Sequence, residues 1–244
     1  MHGRSIVTQV GSLPFDDVGV AIDYSSRHDI PFLPELPKMG DAVLSYITKP
    51  GTLSCLTAFK DMASRNGYPV VKVQCVGPAT LISSGYSEDE AVSRPLDHIT
   101  AILDGLYPEQ VILVLDEPAL GNFGGDYKSM WSAMFAAARA MRPQIIPGIH
   151  TCGNMDWDQL LLNPGIEVIS HDASKNDIIK ASTVYRQGRQ NGKRIAWGIT
   201  IPSDVKDFRQ GDLLTLPCGM GSYDPQSCEG YLTMLTAAAE QLST

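Results

Sequence analysis

One stretch constrains the fold more than any other. Val111-Ile112-Leu113-Val114-Leu115, following Gln110, is apolar without alternation and then breaks at once into Asp116-Glu117-Pro118. A strand with one face in water alternates apolar and polar residues, whereas a strand covered on both faces reads as a continuous apolar run. Such strands belong to parallel sheets coated by crossover helices, so an α/β architecture of alternating strands and helices is expected. The rest of the chain fits that rhythm. Short apolar or β-branched runs predict strands at 5–10, 30–35, 69–76, 110–115, 145–149, 166–172, 194–199 and 213–216. The second is bent by Pro31 and Pro34, which predicts irregular pairing. Helical spacing predicts helices at 16–27, 80–106, 127–141, 155–162, 178–190 and 228–242, with helix or loop over 40–65. Ser87 followed by Glu90 has the spacing of a capping box.

Eight strands with helices mostly between them are the pattern of a (β/α)8 TIM-type barrel. The connection over 200–212 is short, so shortened or missing outer helices are expected. An open doubly wound sheet is the alternative, but no Gly-x-Gly-x-x-Gly turn follows the first strand. With 244 residues and no linker or internal repeat, residues 1–244 read as a single catalytic barrel. The first residues carry no apolar signal-peptide core and no run approaches the ~20 residues that span a bilayer, so a cytoplasmic protein is expected. Five cysteines, at 55, 75, 152, 218 and 228, are odd in number and scattered, as thiols or metal ligands in a reducing compartment are. A net charge of −8 argues against nucleic acid and leaves small molecules or proteins as partners.

In a barrel the chemistry sits where strands end. Those ends carry Gly11-Ser12, Glu35, Asp116-Glu117, His150-Thr151-Cys152, His171-Asp172 and Cys218. Side chains at i and i+2 of a strand share a face, so His150 and Cys152 can enter one pocket as an imidazole and thiolate pair suited to zinc. Taken alone, that pair reads first as a core cysteine beside a histidine that caps a loop. Structural zinc takes cysteines in close pairs, which this chain lacks, whereas three ligands, His150, Cys152 and Cys218, leave room for a weaker fourth and a substrate. Asp172 or His171 would be that fourth, and only one of the two neighbours can face inward. Glu117, next to Asp116, would point away and serve packing. Cys55, Cys75 and Cys228 read as core or surface thiols, and His28 and His98, among polar residues, as surface histidines.

Six motifs then carry a resemblance. Val10-Gly11-Ser12-Leu13-Pro14, Gly77-Pro78-Ala79-Thr80-Leu81, Leu115-Asp116-Glu117-Pro118, His150-Thr151-Cys152, Val168-Ile169-Ser170-His171-Asp172 and Pro217-Cys218-Gly219 occur in the order of the catalytic barrel of cobalamin-independent methionine synthase. The chain resembles that family over about residues 5–222, within the barrel superfamily that includes uroporphyrinogen decarboxylase and corrinoid-linked methyltransferases. The resemblance implies a zinc ion on His150, Cys152, Cys218 and Asp172, the last standing where the family has glutamate. It implies that Gly11 and Ser12 bind an amino acid's carboxylate and that Glu35 and Asp116 take its ammonium and serve catalysis. The family's amino-terminal domain has no counterpart here, so a core enzyme is expected, moving a methyl group to a thiol, homocysteine, to give methionine.

The donor side departs from the family. Its histidine after the seventh strand is missing from Gly198-Ile199-Thr200-Ile201-Pro202-Ser203-Asp204, and its pterin-stacking aromatic residue from Leu81-Ile82-Ser83-Ser84. A folate amine must be protonated to leave, whereas cobalt(I) leaves without a proton. A methylated corrinoid such as methylcobalamin, free or on a corrinoid protein, is therefore the expected donor, with Asp204 as a substitute acid if folate is used. Two rivals are a porphyrinogen-type decarboxylase, for which only Arg4 and Arg27 lie near the first strand, and a non-catalytic zinc-binding partner of a corrinoid protein.

Overall fold

The computed structural model describes residues 6–42, 44–121 and 125–242, with the side chain of Ile6 left out. Seven strands form one sheet: β1 (Ile6–Val7), β2 (Val70–Val76), β3 (Gln110–Asp116), β4 (Ile145–Thr151), β5 (Val168–Asp172), β6 (Arg194–Gly198) and β7 (Leu213–Thr215). Every pairing is parallel, in the order β1-β7-β6-β5-β4-β3-β2. The expected strand at 30–35 is the correction. It makes only isolated bridges, Phe32 to Lys72 and Ser12 to Glu35, because Pro31 and Pro34 have no N–H to offer a ladder. The segment nevertheless bonds on both sides. Ile30 N donates to Val7 O at 3.1 Å and Glu35 N to Gly11 O at 3.1 Å, while Leu33 N donates to Lys72 O at 2.9 Å and Lys72 N to Pro31 O at 2.8 Å. The two edges of the sheet, β1 and β2, are thus bridged, and the fold is an α/β, partial (β/α)8 barrel.

The helices are α1 (Val18–Ser26), α2 (Leu56–Asn66), α3 (Pro78–Ser83), α4 (Glu88–Leu103), α5 (Lys128–Met141), α6 (Asp158–Leu161), α7 (Ser182–Gln190) and α8 (Ser227–Leu242). α4 starts on the expected capping box, with Glu90 N donating to Ser87 Oγ at 3.3 Å and Ser87 N to Glu90 Oε2 at 3.3 Å. Between β6 and β7 only a 3₁₀ turn, Pro202–Asp204, replaces a helix, as the short connection predicts. A buried ion pair ties that region down: Asp212 receives both Nη atoms of Arg189 at 2.6 Å and the Trp197 indole N–H at 3.0 Å. No helix among the described residues is long and apolar enough to cross a membrane.

Two cores result from strand parity. Outward residues such as Val71, Val73, Leu113, Leu115, Ile149, Ile169 and Trp197 pack under the helices. Inward residues Ile112, Val114, Ile146, Val168, Ala196 and Leu213 fill the barrel with Ile30. Above this apolar plug the inner face turns polar, with Thr8, Lys72, Asp116, His150, Ser170 and Thr215 around a narrow cavity. His28 and His98 correct the sequence expectation, since both are buried, at 3% and 0% exposure. His28 Nδ1 lies 3.0 Å from Tyr24 O, and His98 stacks on Tyr46 with centroids 4.4 Å apart. Each is pushed down to about 4, first by burial, and is held as the neutral ring.

Candidate metal and amino-acid site

β4 delivers His150 on its inner face and Cys152 just beyond its end, and the loop after β7 brings up Cys218. One ligand atom from each of the three lies within 4.8 Å of the other two. A tetrahedral zinc with bonds of about 2.0–2.3 Å spaces its ligands roughly 3.3–3.8 Å apart, so a small closure accommodates the ion. The donor set is one nitrogen and two sulfurs, the composition of a site with a position left for substrate. His150 Nδ1 is 2.9 Å from Ser170 Oγ, which leaves Nε2 for the cluster and fixes the ring as an outer partner does in metal sites. The hydrogen bond between Cys152 and Cys218 pulls the first down to about 6 and pushes the second up to about 12. The two thiols thus share a proton, and the pair gives up its first proton more readily than an isolated cysteine. Cys152 is half-buried and Cys218 is exposed, so the cluster opens to the strand-end face.

Strand parity separates the neighbouring polar residues. His171 points outward, fully buried between Trp157 and Trp197 with centroids at 5.6 and 5.5 Å, and neither ring nitrogen has a hydrogen-bond partner. Burial pushes it down to about 4, so it is a neutral packing residue. Asp172 has the inward parity, but the three-residue cluster does not include it. Its Oδ1 accepts from Ser174 N at 3.0 Å, Ser174 Oγ at 2.5 Å and Lys175 N at 3.2 Å, and its Oδ2 is 3.4 Å from Lys175 Nζ. Glu117 likewise faces outward, as its parity predicts. It accepts from Ala79 N, Thr80 N, Thr80 Oγ1 and Trp131 Nε1 at 2.8 to 3.1 Å, anchoring the Gly77-Pro78 turn.

Glu35 and Asp116 lie on the inner side. Glu35 is 2% exposed, accepts from Gln74 Nε2 at 3.1 Å, and is pushed up to about 8, first by burial and then by the charge of Asp116. Asp116 is also raised by burial, and its Oδ1 has no hydrogen-bond partner among the described residues. The two buried carboxylates lie close to each other and to the Lys72 ammonium, an arrangement with the charge to hold a further cation. The Gly11-Ser12 turn runs alongside the Glu35 backbone, Glu35 N donating to Gly11 O at 3.1 Å and Leu13 N to Glu35 O at 2.9 Å. Gly11 has φ +150°, and a Cβ there would come within 2.4 Å of Gln74 Nε2, so only glycine fits. Ser12 Oγ accepts from Gly221 N at 3.3 Å, and Ser12 O accepts from Met220 N at 2.8 Å, which ties this turn to the Cys218 loop.

Lys72, Gln74 and Ser170 are the site residues that sequence reasoning missed. The signal was present in β2, where Lys72 and Gln74 occupy i and i+2 of a strand otherwise apolar from Val70 to Val76. A polar pair of one parity inside a doubly covered strand marks a polar layer in the barrel. Of the other cysteines, Cys55, Cys75 and Cys228 are buried; Cys75 faces α4, 3.9 Å from Pro95 O. Arg4 lies outside the described residues, and Arg27 pairs with Glu229 on the surface at 2.6 Å. Asp204 accepts from Thr200 N, Thr200 Oγ1 and Ile201 N at 2.8 to 3.0 Å; burial raises it, and these hydrogen bonds outweigh burial and hold it below the usual aspartate range.

No family model and no curated protein matches the chain. Solved structures do. A methyltransferase from Methanosarcina mazei superimposes with a TM-score of 0.60 at 15% identity, covering 96% of this chain and 80% of that one. KGPDC from Streptococcus mutans gives 0.53 at 11% identity over 99% and 100%. A psychrophilic family 10 endo-beta-1,4-xylanase gives 0.52 at 10% identity over 90% of each. At these identities the likeness establishes a barrel fold of the kind that enzymes share.

Proposed function

We propose that this chain is a zinc-dependent methyltransferase, a single catalytic barrel that moves a methyl group to the thiol of homocysteine and yields methionine. The observation that carries the reading is the adjacency of two incomplete receptors: the His150, Cys152, Cys218 cluster, and the buried Glu35 and Asp116 pair with an unpartnered oxygen. His150, Cys152 and Cys218 would hold the ion, with Asp172 as a weak fourth ligand through Oδ2, the oxygen less committed to its own loop. Zinc, when bound, supplies Lewis acidity that keeps a thiol deprotonated at neutral pH. The chain's own residues do the rest. Glu35 and Asp116 take the substrate ammonium, the Gly11-Ser12 turn holds its carboxylate, and together they aim the sulfur of a four-carbon amino acid at the cluster. The likeness to a methyltransferase barrel agrees with this reading.

For the donor we infer a methylated corrinoid, free or carried by a corrinoid protein. A folate donor needs an acid near its departing nitrogen. Asp204, the residue in position to replace the missing histidine, is tied up as an anion by three hydrogen bonds. The end of α3, Leu81-Ile82-Ser83-Ser84, offers no aromatic ring for a pterin. Incubating the zinc-loaded protein with homocysteine and either methylcobalamin or methyltetrahydrofolate, then measuring methionine, tests the proposal. Methionine from the corrinoid alone is the expected result. Turnover with the folate alone would overturn the donor, and full activity in protein stripped of zinc would overturn the site.

A further inference from the structure

Lys72 is buried on the inner face of β2, at 5% exposure. Its ammonium donates to Val10 O at 2.6 Å and to Gln74 Oε1 at 3.0 Å. Gln74 passes the contact on, donating through Nε2 to Leu33 O at 2.7 Å and to Glu35 Oε1 at 3.1 Å. The same amide is the group against which Gly11 lies too close for any Cβ. Lys72 shares its cavity with Asp116, His150 and Ser170. One buried cation therefore reaches both walls of the amino-acid site: the backbone leading into Gly11-Ser12 and, through Gln74, the carboxylate of Glu35.

A lysine placed there only to neutralise charge would pair directly with a carboxylate, the strongest arrangement available to it. Instead it is bonded to a carbonyl and an amide, and Asp116 keeps an unpartnered Oδ1 at the cavity. In the bound state, with Glu35 and Asp116 both ionised, Lys72 balances one of the two charges and the substrate ammonium balances the other.

We propose that Lys72 is a positioning residue of the amino-acid site: through Gln74 it sets Glu35 against the Gly11-Ser12 turn, and its charge tunes the carboxylate pair to one substrate ammonium. This rests on the amino-acid thiol reading above. The test compares methionine with 4-(methylthio)butyrate, the same molecule without its amino group, by calorimetry on zinc-loaded wild type and Lys72→Met. Wild type should prefer methionine. Lys72→Met should weaken methionine at least tenfold while 4-(methylthio)butyrate stays within about twofold and zinc content is unchanged, a split that general packing damage would not produce. Equal losses for both ligands, loss of zinc, or unchanged methionine affinity would each overturn the assignment. A wild type that does not discriminate overturns the amino-acid reading itself, and this is seen without any variant. If Lys72→Met does not fold, Lys72→Met combined with Glu35→Gln removes both opposing charges and should fold; failure of that double variant also refutes the role.

Discussion

Binding of methionine, the product of the proposed reaction, should be linked to a proton. Burial, reinforced by the charge of Asp116, pushes Glu35 up to about 8, so at pH 7 it is about 90% protonated in the free protein. An ammonium docked between Glu35 and Asp116 requires the ionised form. Ionising Glu35 first costs about 1.4 kcal/mol at pH 7 and about 2.7 kcal/mol at pH 6, from 1.36 kcal/mol per pH unit. Affinity should therefore rise roughly tenfold per pH unit from 6 to 8 and then level off. Calorimetry at pH 7 in phosphate and in Tris, whose ionisation heats differ, should count about 0.9 proton released per methionine bound. Glu35→Gln should abolish both the release and the slope, and should lower affinity at pH 8 by about 1.5–3 kcal/mol, the range for a hydrogen bond to a charged group. The sign for stability is opposite. A carboxyl raised in the folded state contributes stability that is present below its unfolded value near 4.5 and lost as pH rises through about 8. Glu35→Gln should thus raise Tm, more at pH 8 than at pH 5. A flat affinity between pH 6 and 8 with no proton exchange would refute the reasoning.

Elemental analysis should find about one zinc per chain in the wild type and little in Cys152→Ser or Cys218→Ser. His171→Phe should keep the metal and raise stability by about 1–3 kcal/mol in urea unfolding, because it removes two buried ring nitrogens that lack partners from between Trp157 and Trp197; zinc loss in that variant would make His171 a ligand. Arg189→Met strands Asp212 in the interior and should cost about 3–5 kcal/mol of unfolding free energy, with metal content unchanged in the folded fraction.

The regular strands were legible because a parallel strand coated on both sides cannot hide its composition. Residues 110–115 announce β3, and the runs at 69–76 and 194–199 announce β2 and β6 to within a residue or so. The segment at 30–35 was legible only as an extended piece. Its pairing depends on which carbonyls and amides remain once two prolines remove theirs, and that is settled by its neighbours Val7, Gly11 and Lys72. His28 and His98 misled for a related reason. Each sits among polar residues in sequence, but helical and turn geometry carries His28 between Tyr24 and Phe32, four residues to either side, and His98 under Tyr46, which lies far away in the chain. Local polarity reports on a residue's neighbours in sequence, whereas burial depends on neighbours in space.

Within the site, parity did the sorting that residue type could not. Asp116 and Glu117 are adjacent carboxylates of like chemistry, yet one faces the cavity with an oxygen left open and the other spends both oxygens on the Gly77-Pro78 turn and Trp131. His171 and Asp172 divide the same way, the imidazole outward between indoles and the carboxylate inward. Alternation along a strand makes each such pair one pocket residue and one packing residue, so the useful question about a polar dipeptide at a strand end is which member shares parity with a known inward residue. Lys72 meets that criterion through Gln74 and the Glu35 it supports. A lysine in a strand covered on both sides has nowhere to go but the barrel's interior.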